Sequence, residues 1–310
     1  MNVIMRPLRA VVVFLVISIM LTPWAEAVPT LGLGGNILFD PDGVGYLAPV
    51  SVSSFNFSPG NFLAAGAIPA YLDFVNSGIV TPFDTIIQAN MSPSLNSFLP
   101  AGAEITMVLR TRQQITTVVP GNPGPITTNT VFSSGGANFL DLYFDLSKNS
   151  SSVTGLGFND GLLILAAKLT PTCTDGNGNT FTTGGTLNNS LLSAGPLSTS
   201  GTTPTNGISG GADFCATPNF VDVDFFPGPT PAAVLFSTTL SAPFSFGNAA
   251  SPVLDGTTAL IGTTNGSNGP DILLESNSEL TFAVPEPSSI SLLTLSFLLL
   301  ACAVSKKAPE

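Results

Sequence analysis

The chain has 310 residues, with Lys+Arg 8, Asp+Glu 19 and no His, for a net charge of −11. Charged residues make up 9% of it, against about 25% in an ordinary soluble domain. With Gly 31 and Pro 26 supplying turns, this composition argues against a helical bundle. Such an acidic balance argues against nucleic acid as a partner, because phosphate binding needs a cationic surface. The missing imidazole removes His metal sites and His-based acid–base catalysis.

At the N-terminus, Arg6 and Arg9 precede a continuous apolar run from Ala10 to Leu21, followed by Thr22-Pro23-Trp24 and the triplet Ala25-Glu26-Ala27. A charged start, a short apolar stretch and an A-x-A site have the form of a secretory signal peptide over residues 1–27, cleaved after Ala27. The apolar run is short for a bilayer span of about 20 residues. Pro23 also breaks the helix where a peptidase needs extended chain. Trp24, the single Trp, leaves with this segment.

The exported body is then Val28–Ala283. Its bases are Arg110, Arg112, Lys148 and Lys168, against sixteen acids. Such a surface stays soluble through Ser, Thr and Asn, with few salt bridges. Near its start, Asp40-Pro41-Asp42-Gly43-Val44-Gly45 gathers two carboxylates and free carbonyls in a tight turn. Asp40 and Asp42 are therefore candidate ligands for a hard cation such as Ca²⁺; an Asx-type turn opening a strand is the preferred reading.

Strand patterns dominate the rest of the body. Residues 46–57 open the series, and 104–119 form a β-rich run with Arg110 and Arg112 on one face. Those two arginines could hold an anionic polymer, but on an acidic protein they are expected to pair with nearby Asp residues. A Pro-Gly turn at 120–125 leads to a strand near 126–132. Leu140, Leu142, Phe144 and Leu146 then alternate with Asp141, Tyr143 and Asp145, the period of a half-buried antiparallel strand. A polar connection ending in Asn159-Asp160-Gly161 leads to a more fully buried strand at 162–169. Further strands are predicted at 219–226, 232–240 and 280–284. Strands this frequent, without an alternating helix pattern, predict an all-β fold, an antiparallel β-sandwich of jelly-roll or Ig-like type.

The stretch 171–212 is nearly all Thr, Ser, Asn and Gly and is expected to be a loop unable to order itself. Asp175-Gly176-Asn177-Gly178-Asn179 mimics the start of an EF-hand loop, but Thr180 and Thr186 stand where its Gly and bidentate Glu belong. Cys173 and Cys215 bracket the stretch, and in an oxidising compartment the two thiols are expected to pair. Closing that loop is worth roughly 4 kcal/mol in the chain-entropy account. Beyond it, Asp222 and Asp224 are predicted to share one strand face. A second cation site or a glycosidase-like pair is weighed there against a solvated face, which is preferred because the mature chain has no Trp to act as a sugar platform. A Ser-His-Asp system cannot be built without His, and no G-x-S-x-G turn occurs. The chain is expected not to be an enzyme.

The C-terminus reads in three parts. Val284-Pro285-Glu286-Pro287 must be extended, since each proline fixes φ and restrains its predecessor. Ser288–Ser305 carries no charge over 18 residues, about 27 Å as a helix and enough to cross the hydrocarbon core. Lys306 and Lys307 stop transfer on the cytoplasmic side. Cys302, the third cysteine, lies inside this transmembrane segment, predicted over 288–305.

This order of motif, apolar helix and basic tail resembles the PEP-CTERM sorting signal, over residues 284–310. The tail departs from the pattern, with two lysines and Ala308-Pro309-Glu310 where an Arg-rich end is more usual. The resemblance implies recognition of Pro285-Glu286-Pro287 by an exosortase, a membrane transpeptidase-like enzyme of Gram-negative bacteria that make exopolysaccharide. It implies transient anchoring in the inner membrane, processing near the motif, and delivery to the cell surface or matrix. Tyr143-Phe144-Asp145 through Gly157-Phe158-Asn159-Asp160-Gly161 also resembles floc-associated members. The expected function is a non-enzymatic matrix protein associated with exopolysaccharide, biofilm or floc. The alternative is a Ca²⁺-dependent carbohydrate-binding β-sandwich.

Overall fold

A computed structural model describes residues 36–92, 98–119, 126–151, 155–174, 180–189, 208–241 and 272–284. The described residues are mostly strand, in the order β1 (Ile37–Phe39), β2 (Val50–Val52), β3 (Ser54–Ala65), the helix α1 (Ala67–Ser77), β4 (Phe83–Met91), β5 (Glu104–Val119), β6 (Ile126–Phe132) and β7 (Phe139–Asp145). There follow β8 (Leu162–Thr170), β9 (Thr172–Thr174), β10 (Thr180–Thr182), β11 (Gly184–Asn189), β12 (Ile208–Val221), β13 (Ala233–Ser241) and β14 (Ile272–Ala283). Two short ribbons, β1–β2 and β9–β10, stand apart from a 10-stranded antiparallel sheet.

The sheet closes on itself because two strands are long enough to take two partners along one edge. On β5, Glu104–Arg110 pairs with β7, while Gln113–Val119 pairs with β6. On β12, residues 208–213 pair with β11, while Cys215–Val221 pairs with β8. From β5 the ladder runs through β4, β3, β14, β13 and β12. It returns through β8 and β7 at one end of the body and through β11 and β6 at the other. The expected antiparallel all-β character is present, as one continuous hydrogen-bonded circuit. Closure leaves few unpaired backbone edges, which would otherwise template pairing with other chains.

The interior is unequal along its length. At the β7–β8 end it is aromatic: the Phe39 ring lies 5.1 Å from Phe55 and 5.4 Å from Phe226, and Phe55 lies 5.2 Å from Phe282. At the β6–β11 end it is partly polar. There the buried Thr85 hydroxyl donates to Gln113 Oε1 at 3.1 Å, and the Thr130 hydroxyl lies 3.2 Å from the same oxygen. Both prolines within long strands sit at register shifts, Pro59 between Phe57 and Gly60 and Pro218 next to the shift before Phe220. A residue without an N–H is tolerated at such points.

Several expectations are corrected. The helix α1 lies where no helix is predicted: Gly66 (φ 78) and Gly78 (φ 67) bound it in left-handed conformations, and Ala67, Ile68 and Ala70 turn into the core. Pro69 falls in the first turn, where no intrahelical N–H bond is lost. The segment 171–212 is not one loop. It supplies β9, β10, β11 and the start of β12, because a ladder satisfies backbone groups without apolar side chains when partner strands are already in place. Residues 175–179 and 190–207 lie outside the described residues. The strand predicted at 219–226 ends at Val221 and begins far earlier, at Ile208. Leu146, expected on the apolar face with Leu140, Leu142 and Phe144, is 70% exposed beyond the end of β7.

Candidate functional site

The described surface carries a trough of about 710 Å³ on the outside of the sheet. It crosses the strands, and the register fixes its two walls. One is the row Asn129, Thr186, Gly211, Thr239 and Asn277, each opposite the next on adjacent strands. The other is Val131, Gly184, Asp213, Ser237, Glu279 and Asn56. Between them the chain turns Thr130, Ala212, Thr238 and Ser278 toward the interior, so the floor there is backbone.

Local sequence explains the shape. Side chains of a strand alternate between faces, and these strands carry small or polar residues outward against apolar ones inward: Phe214 and Phe236 flank Asp213 and Ser237 from the buried side. One wall has Gly211 at its middle and the other has Gly184 next to its β6 end, so no side chain fills the trough at those two points. Gly184 is also required by packing, since a Cβ there would collide with the Thr130 carbonyl oxygen. Ser237 donates its hydroxyl to Asp213 Oδ1 at 2.6 Å, and Thr186 donates to Asn129 Oδ1 at 2.9 Å. The lining holds two carboxylates, Asp213 and Glu279, and no Lys or Arg. Hydroxyl, amide and carboxylate groups in an open channel can bind a hydroxyl-bearing ligand, and the two carboxylates without a Lys or Arg disfavour an anion.

The residues singled out in the sequence lie elsewhere. The Asp42 carboxylate accepts from the N–H of Val44 and Gly45 at 3.2 Å each and of Leu47 at 3.0 Å, while Asp40 Oδ1 accepts from the N–H of Asp42. Desolvation in the turn pushes the Asp42 carboxyl up, and the backbone N–H donors of Val44, Leu47 and Gly45, together with its interaction with the Asp40 side chain, outweigh it, leaving its pKa below the ordinary value. This is the Asx-turn geometry, in which the Asp42 carboxylate gives three of its roughly four acceptor sites to backbone N–H groups. Among the described residues no group of three or more His, Cys, Asp or Glu is placed to hold a metal.

Cys173 and Cys215 form a disulfide, with Cα atoms 5.6 Å apart. Asp222 and Asp224 do not share a strand face: they fall in a turn, where Asp222 Oδ1 accepts from the Asp224 N–H at 3.0 Å. That turn sends Phe225 and Phe226 into the core. Arg110 makes the expected ion pair, 2.9 Å from Asp84. Of the sorting motif, Val284 packs against the hydrophobic core just beyond β14. Ala25, Ala27, Pro285, Glu286, Pro287, Lys306, Lys307 and the segment 288–305 lie outside the described residues. No helix among the described residues is long and apolar enough to cross a membrane.

A second polar cluster organises the connection between β7 and β8. Glu104, 1% exposed on the outer side of β5, accepts from the backbone N–H groups of Asn149 and Ser150 at 2.9 Å each and from the Ser150 hydroxyl at 2.5 Å. The Asn149 amide donates to Asp160 at 3.0 Å, and the Thr106 hydroxyl donates to the Phe158 carbonyl at 2.7 Å. Asn149, Ser150 and Phe158 of this connection are thus held to the sheet by side chains of β5.

The trough itself was not foreseen. Its residues come from six separated segments, and the outward Asp213, Ser237 and Glu279 read singly as solvated polar positions. Comparison with protein families, with curated proteins and with solved structures found no match to this chain.

Proposed function

We propose that the chain is a non-enzymatic exported protein of the bacterial surface or extracellular matrix. In this reading it is sorted by an exosortase through residues 284–310 and associated with exopolysaccharide in biofilm or floc. Its fold is then a sandwich-like flattening of the closed circuit, with opposite walls pressing their Phe and Leu side chains together. The observation that carries the reading is how the body presents its C-terminal end. β14 is pinned to its last residue, where the Ala283 carbonyl accepts from the Ala232 N–H at 2.8 Å, and Val284 still packs against the core.

The motif 285–287 therefore follows the folded body without a spacer. Four extended residues reach about 14 Å at most, so an anchored body would sit close to the membrane face where a processing enzyme works. The trough supports the association with polysaccharide, since its lining matches a polyhydroxylated chain. The Ca²⁺-dependent alternative is not adopted, because Asp42 is committed to backbone donors.

Replacing Pro285 and Pro287 together by Ala tests the route. The unprocessed chain is expected to accumulate in the inner membrane, while the wild-type protein recovered from matrix ends near the motif by mass spectrometry. Unchanged release of the double variant, or matrix protein with peptides reaching Glu310, overturns the proposal.

A further inference from the structure

We propose that the trough binds a polysaccharide bearing free amino groups, running across the strands from β6 toward β3. This rests on the matrix reading above and deepens it by assigning the polymer's charge and the surface that meets it. Neighbouring strands are spaced about 4.8 Å apart, close to the length of one pyranose unit in an extended chain, so each wall presents one residue at that interval, with a hydrogen-bonding side chain at all but Gly211 in one wall and all but Val131 and Gly184 in the other. A polymer lying across the strands meets the same pair of walls unit after unit. An extended peptide, with its different repeat and its own demand for a free strand edge, finds no such edge here, because the trough strands are paired on both sides.

Charge then selects among glycans. Asp213 and Glu279 stand in one wall, two strands apart through Ser237, about 10 Å or two pyranose units. With no Lys or Arg in the lining, a polyuronate or sulfated polymer would be repelled and an ammonium on alternate sugars attracted. The lining also has no aromatic ring, so binding depends on hydrogen bonds and charge, and many weak contacts along one chain must act together.

The test uses the full-length protein in detergent with three polymers of matched length: a partly N-deacetylated N-acetylglucosamine polymer, its fully acetylated counterpart, and a polyuronate. The expected result is binding to the deacetylated polymer alone, weakening as salt rises. Asp213→Asn with Glu279→Gln should lower affinity by about tenfold, the scale of two partly exposed ion pairs. Gly211→Ala should narrow the trough and weaken binding without disturbing the sheet, since the nearest atom to its Cβ is the Thr238 carbonyl oxygen at 3.4 Å. No binding, equal binding of the acetylated polymer or the polyuronate, or unchanged affinity in these variants overturns the proposal. Failure here with sorting still dependent on Pro285 and Pro287 leaves the matrix reading standing; failed sorting with intact, charge-selective binding does the reverse.

Discussion

Glu104 is the side chain on which the β7–β8 connection hangs, and its removal has a calculable effect. The carboxylate is 1% exposed and accepts three hydrogen bonds, two from backbone N–H groups at 2.9 Å and one from the Ser150 hydroxyl at 2.5 Å. In Glu104→Ala the hydroxyl can turn elsewhere, but the two N–H groups lose their acceptor. A donor left unpaired in a buried site costs about 1–3 kcal/mol. Asn149 is exposed, so water reaches its N–H and the lower half of that range applies to it.

The expected loss is about 3 kcal/mol in urea unfolding, and the amides of Asn149 and Ser150 should exchange with solvent much faster. Glu104→Gln retains one acceptor oxygen and replaces charged bonds by neutral ones, so its loss should be about 1 kcal/mol. At this size each kcal/mol moves Tm by about 2–4 °C, which separates the two variants in one thermal scan. If both lie within 1 kcal/mol of wild type, or lose the same amount, Glu104 does not hold the connection in place by those bonds.

Two further outcomes can be checked on the same protein. Asp141, on the outer face of β7, has its carboxyl pushed up to about 6 by burial, partly offset by the Tyr143 hydroxyl, which donates to it at 3.3 Å. Burial and the Asp141 charge in turn raise the Tyr143 phenol to about 12. Because the folded carboxyl holds its proton more tightly than the unfolded one at 3.8, stability falls as pH rises through the window from about 4 to 6. The full shift corresponds to about 3 kcal/mol, and partial exposure reduces it to about 1–2 kcal/mol. Asp141→Asn should remove that fall and be the more stable protein at pH 7; parallel stability curves for the two proteins across this window would refute the assignment. For Cys173 and Cys215, separated by 42 residues, equilibrium unfolding under reducing conditions should show a loss of about 4 kcal/mol, and a change below 1 kcal/mol would mean that the unfolded chain is already held together there.

Local pattern settled the elements whose side chains alternate cleanly. The runs 104–119, 126–132 and 162–169 coincide with β5, β6 and β8 to within a residue, because one apolar face is enough to define a strand. Charge scarcity, the signal-like N-terminus and the motif at 284–287 are likewise properties of consecutive residues and need no fold to be read. Pattern failed where the chain has no apolar face of its own. Gly184–Asn189 becomes β11 only because β6 and β12 offer it ladders on both sides.

Closure of the sheet was also beyond local reading, since it depends on β5 and β12 each changing partner midway. The trough follows from that closure. Asp213, Ser237 and Glu279 are far apart in the chain and become neighbours in one row only when register is fixed. Sequence determined which strands could form and which faces were polar; the tertiary pairing alone decided which polar faces would meet, because register is set when distant strands match their buried faces, and no single strand carries that information.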